Sequence, residues 1–178
     1  MHRRQPLPRL WLMTDERQGD RLWSAVAKLP RGSGIILRHY SLDTAERSEL
    51  FRKLKAETQR RNIMLVVAGS ATLAQALGAA GHHGRARRKS PHKLVRTAPT
   101  HNLREIRGAE RAGAELLFLS PAFETRSHPG ARALGPLRFM LLARHARVPV
   151  IALGGMNAWR AQRLGGTIYG WAGIEAWS

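Results

Sequence analysis

From Val148 to Gly155 the chain reads VPVIALGG. The run is continuously apolar up to Leu153, with no polar alternation, as in a strand buried on both faces of a parallel sheet. Two glycines close it. Asn157 follows as a helix N-cap, predicting a helix to Leu164. The unit is therefore a strand, a tight glycine turn and a helix start.

The same unit recurs in both directions along the chain. Upstream, strands are predicted at Leu10–Thr14, Gly34–Leu37, Ile63–Val67, weakly at Gly81–Gly84, from Leu94 to Arg96, and at Glu115–Leu119. Downstream, Ile168–Ala172 is the last. Helices are predicted between them: Asp20–Leu29 with Leu22, Val26 and Leu29 inward, and Thr44–Arg61 with Thr44 as cap and Leu50 and Leu54 inward. Further helices are Ala71–Leu77 closed by Gly78, Leu103–Ala112 closed by Gly113, and Pro136–Ala146 with Leu137, Leu141 and Leu142 inward. Strict alternation requires right-handed crossovers and a parallel sheet. Eight strands point to a compact (β/α)8 barrel, lacking a helix after the last strand, over residues 1–178 as one domain. An open doubly wound sheet is the alternative.

The chain has 178 residues and no cysteine, which excludes a disulfide scaffold, a thiolate metal site and a cysteine nucleophile. No apolar run is long enough to span a bilayer, and the start MHRRQPLPRLWLM lacks the apolar stretch of a signal peptide. A cytoplasmic location is expected. Thirty Lys and Arg against twelve Asp and Glu give a net charge of +18, a field that attracts phosphates, diphosphates, nucleic acids or acidic surfaces.

In such barrels the working groups follow the strands. These are Thr14 and Asp15, Arg38, Ala68 and Gly69, His83, Thr100 and His101, the Ser120–Gly135 loop, Gly154 and Gly155, and Gly173 to Glu175. Glycines there let backbone N–H groups close on an anion. Gly154 and Gly155 follow the penultimate strand, where these barrels often hold phosphate. The loop carrying Thr125, Arg126, Ser127 and His128 offers hydroxyls and cations for a diphosphate. A tight turn and a solvated loop are the plain alternatives.

Several of these pieces, in order, resemble the thiamine phosphate synthase family, which includes a thiazole tautomerase (TenI) branch. They are LWLMTD (Leu10–Asp15), Leu37–Arg38 within a Gln-x-Arg-x-Lys motif, and GAAGHH (Gly78–His83). Thr100–His101, SPAFETRSHPGARALG (Ser120–Gly135) and PVIALGG (Pro149–Gly155) complete the set, over roughly residues 10 to 177. The resemblance implies a (β/α)8 barrel that couples an aminopyrimidine diphosphate to a thiazole phosphate. The diphosphate leaves first, giving a carbocation, and aspartates hold Mg2+. Diphosphate contacts would fall to Arg38, Thr125, Ser127 and His128, and thiazole phosphate contacts to the backbone of Gly154 and Gly155.

The departures lie at the metal end. Ile36 and Tyr40 replace the motif's Gln and Lys, and the family's Asn-Asp aligns with Ala68 and Gly69. From Thr58 to Arg104 there is no Asp or Glu but nine Lys and Arg. A hard cation needs oxygen ligands, usually carboxylates, so no Mg2+ site is expected although Mg2+ is the family cofactor. Glu175 aligns with a serine near the thiazole phosphate, and Pro121 with a histidine of the tautomerase branch. Three readings follow: a divergent synthase with arginines replacing metal charge, different chemistry on a phosphorylated heterocycle, or a non-catalytic binder of thiazole phosphate or thiamine phosphate. A nucleic-acid binder using Gly84–Lys93 ranks last, because that run has no aromatic for stacking. Oligomeric state is left open, and no membrane partner is expected.

Overall fold

A computed structural model describes residues 6–85, 94–125 and 133–177. Eight parallel strands close into a barrel in sequence order. They are β1 (Leu10–Met13), β2 (Gly34–Leu37), β3 (Met64–Ala68), β4 (Gly81–His83), β5 (Val95–Thr100), β6 (Leu116–Leu119), β7 (Val150–Ala152) and β8 (Gly170–Gly173). The helices are α1 (Arg21–Lys28), α2 (Thr44–Thr58), α3 (Ala71–Leu77), α4 (Leu103–Arg111), α5 (Gly135–Ala143) and α6 (Ala158–Leu164). Among the described residues no helix lies between β4 and β5 or after β8.

The barrel closes because alternate residues of each strand face inward and fill it. Trp11, Met13, Ile36, Val66, Leu116, Phe118, Ile151 and Ala172 form that interior. Trp11 is the largest of them, and its neighbour in register on β2 is Gly34. A side chain at Gly34 would run into the indole ring. The glycine therefore makes room for the tryptophan, whose ring meets Phe118 edge-on at 5.4 Å. Two outer cores, one under α1 to α3 and one under α4 to α6, seal the other strand face.

Local chemistry moves several element boundaries. Asp43, not Thr44, caps α2: its carboxylate accepts the Glu46 N–H at 2.8 Å, while Glu46 reaches back to the Asp43 N–H at 3.0 Å. Past Thr58 the helix tightens into a 3-10 turn, Gln59–Arg61. The fifth strand runs on to Thr100 and ends in the Asn102 cap of α4. In α5 the expected inward Leu137 and Leu141 are 68% and 51% exposed, with Phe139 and Ala143 buried instead. Both pairs have helical spacing, and the larger aromatic takes the inner face. On α1 the expected trio Leu22, Val26 and Leu29 is buried. No described helix is long and apolar enough to cross a membrane.

Candidate functional site at the barrel mouth

The ends of β2, β5, β6, β7 and β8 converge on a cavity of about 590 Å³. Arg38, Thr125, Gly154 and Gly155 all line it, with His101, Ser120, Glu124, Arg160 and Glu175. Four expected anion contacts thus share one space. Ser127 and His128 lie outside the described residues.

The glycine pair follows β7 with φ of 96° at Gly154 and 58° at Gly155. Both values lie in the left-handed region that glycine adopts without strain. Space enforces the same choice. A Cβ on Gly154 would stand 2.8 Å from the Pro121 Cα, and one on Gly155 would strike the Glu124 carbonyl. Phe123 N–H donates to the Gly154 carbonyl at 3.1 Å, tying this turn to the segment after β6. Arg160, in the first turn of α6, donates to the Gly155 carbonyl and lies 4.9 Å from the Phe123 ring centre. With both carbonyls engaged, the turn is fixed, and no carbonyl among the described residues accepts from the Gly154 or Gly155 N–H.

Opposite stands Arg38. Its Nε donates to the Thr14 carbonyl at 2.8 Å and its Nη2 to Asp15 Oδ2 at 2.9 Å. Its backbone N–H donates to Thr14 Oγ1 at 3.0 Å, which joins the ends of β1 and β2. Burial pushes the guanidinium pKa down, and Asp15 opposes that. Nη1 has no protein partner among the described residues. Arg38 is thus both a structural ion pair and a cavity-facing cation.

Asp15 is saturated. Arg17 donates to it through Nε (2.7 Å), Nη2 (2.9 Å) and its backbone N–H (3.1 Å), in addition to Arg38. The Arg17 hydrogen bond holds its pKa at about 2, with burial opposing and the Arg38 charge adding to the shift. His101 Nδ1 lies 2.8 Å from the Ser120 carbonyl, which can only accept, so Nδ1 carries a hydrogen. His83 is buried inside the barrel beside Thr97 Oγ1 (2.8 Å) and the Phe118 ring (5.1 Å). Burial, with Arg38 and His82 adding to it, lowers its pKa to about 3, so it is neutral.

The residues present do not fit Mg2+. Asp15 has its oxygens occupied by guanidinium and amide donors. The ends of β3 and β4 offer Ala68, Gly69 and His83, and the chain from Thr58 to Arg104 has no carboxylate to add. Among the described residues no three or more His, Asp or Glu side chains gather as a ligand set.

Three contributors escaped the sequence reading: Arg160, His39 and Arg47. Arg160 and Arg47 are ordinary surface positions of their helices by pattern. His39, whose Nδ1 lies 3.0 Å from Thr14 Oγ1, follows a strand-end arginine without a motif of its own.

Comparison with known proteins agrees with the resemblance. A family described as thiamine monophosphate synthase matches residues 10–176. “Putative thiamine-phosphate synthase 2” of Aquifex aeolicus is 30% identical over 161 residues, covering 85% of this chain and 87% of that one. A thiamine-phosphate synthase of Methanococcus maripaludis is 27% identical over 158 residues, covering 84% and 76%. A solved thiamine phosphate pyrophosphorylase from Pyrococcus furiosus superposes with a TM-score of 0.78 at 26% identity, covering 96% of this chain and 86% of that one. With the closed barrel, its glycine turn and its arginine already in place, these likenesses establish that the chain belongs to the thiamine monophosphate synthase family.

Proposed function

We propose that the mouth binds a phosphorylated thiazole at Gly154 and Gly155 and a diphosphate ester on the Arg38 side, and couples an aminopyrimidine to the thiazole with release of diphosphate. The observation that carries this reading is the single cavity shared by the left-handed glycine turn and the Arg38 guanidinium. Backbone N–H groups of a fixed turn bind a phosphate at little reorganisation cost. Across the cavity, Arg38 Nη1 meets the leaving diphosphate, whose negative charge grows as the carbon–oxygen bond breaks. A cation held rigid by Asp15 and the Thr14 carbonyl stabilises that charge as it develops.

A second reading keeps the binding and drops the turnover. It is favoured by the lack of carboxylates at the ends of β3 and β4. One experiment separates the two. Purified protein is titrated calorimetrically with thiazole phosphate, aminopyrimidine diphosphate and thiamine phosphate, and mixtures of the first two are assayed for thiamine phosphate by chromatography. Binding with product supports the coupling reaction, binding without product supports the binder, and no binding by any of the three ends both readings.

A further inference from the structure

The β2–β3 side of the mouth is held by a guanidinium that no motif assigned. Arg47, from the start of α2, sends Nη2 to the carbonyls of Leu37 (3.3 Å), Arg38 (3.0 Å) and Ala68. Its Nε is enclosed with no hydrogen-bond partner among the described residues. The Tyr40 ring centre lies 5.7 Å from the guanidinium carbon. A Cβ placed on Gly69 would be 3.9 Å from Arg47 Nη1. A carboxylate at that position would therefore face a fixed cation, and the chain has none there.

Carbonyl oxygens at strand ends are the hard donors that a divalent cation takes. In this chain a tethered monovalent cation already occupies three of them. Adding Mg2+ would set it beside the Arg47 and Arg38 charges, and the Asp15 carboxylate at Arg38 already accepts from both Arg38 and Arg17. The undescribed stretches 86–93 and 126–132 carry no Asp or Glu either.

We propose that the mouth holds a diphosphate-class anion without a divalent metal, the Arg47 guanidinium on the β2–β3 rim carbonyls supplying positive charge that the metal would otherwise bring. This rests on the reading of the mouth as a site for phosphorylated ligands. Arg38 Nη1 gives the directed hydrogen bond, and Arg47 gives a charge whose position α2 fixes.

The test is calorimetry with inorganic diphosphate, once in EDTA and once in excess Mg2+, with thiazole phosphate as a parallel ligand. Diphosphate binds in EDTA, and Mg2+, which complexes it in solution, leaves the affinity unchanged or lowers it. Inorganic phosphate and sulfate at equal ionic strength bind about tenfold more weakly or worse. Arg47→Gln, shown folded by circular dichroism, loses about tenfold in diphosphate affinity through the loss of one positive charge beside the anion. Its thiazole phosphate affinity stays within about twofold, and Arg47→Lys retains most diphosphate binding because the charge persists. If Arg47→Gln does not fold, the lysine variant decides: a folded Arg47→Lys that has lost diphosphate overturns the assignment of charge. Binding that tightens tenfold with Mg2+, absence of diphosphate binding, equal affinity for sulfate, or a folded Arg47→Gln that binds as the wild type does would each overturn the proposal. Failure of thiazole phosphate alone sinks the glycine-turn reading and leaves this one standing.

Discussion

Arg38 shows how one side chain serves two purposes. Its Nε and Nη2 join Thr14 and Asp15, and the remaining edge faces the cavity. Lysine keeps the charge, but its donors sit on one nitrogen and cannot span Thr14, Asp15 and the cavity as the planar guanidinium fork does. Arg38→Lys is expected to weaken diphosphate binding by about 1–2 kcal/mol and to lower the melting temperature. Calorimetry and a thermal melt read the two effects separately, and an unchanged affinity would confine Arg38 to its structural pair. His83 sets a pH limit on the fold. Its pKa of about 3 in the barrel, against 6.5 when free, means that the unfolded chain binds the extra proton between those values. Stability therefore rises with pH across that window and is lost as pH falls from 6.5 toward 3. Denaturant melts at stepped pH should show this slope, and His83→Gln should flatten it.

At the scale of elements, the packing of β1 against β2 depends on a missing side chain. Trp11 is fully buried and its ring fills the space above Gly34. Neither the ring nor the strand can retreat from a methyl group, because Phe118 and the neighbouring strands close the other sides. Gly34→Ala is expected to destabilise the protein by about 2–3 kcal/mol, the upper end for overpacking. A urea melt checks this, and a variant within about 0.5 kcal/mol of wild type would mean that the interior is looser than the register implies. The expectation that Leu137 and Leu141 face inward failed on this scale, since α5 carries two apolar faces and only one sheet. That choice lies in the packing of Phe139, not in the spacing of the leucines.

For the whole molecule the feature that acts at long range is the net charge of +18. It attracts anions over distances comparable to the Debye length, which shrinks from about 10 Å at 0.1 M salt to about 3 Å at 1 M. The association rate for inorganic diphosphate, followed by stopped flow, should fall steeply over that range while the dissociation rate changes less. Equal rates at both salt concentrations would show that the field does not steer ligands.

The sequence by itself determined the barrel. Eight predicted strands, most of them short apolar runs separated by helices, leave few ways to bury the strands on both faces, and VPVIALGG and the Ser120–Gly135 segment placed the family. It also marked the glycine turn and Arg38, because glycine pairs and strand-end cations are local signals. The tertiary structure decided what those residues touch. Asp15 could have remained a free carboxylate until Arg17 and Arg38 were seen to occupy it. Arg47 looked like one more arginine on an exposed helix face until its guanidinium was seen on the carbonyls of two strands. Arg160 is placed by the carbonyl that the Gly155 turn presents to it and by the Phe123 ring. Such pairings join residues distant in the chain or depend on the conformation of a turn. The sequence sets the number of charges, and only closure of the barrel sets which oxygen each one meets.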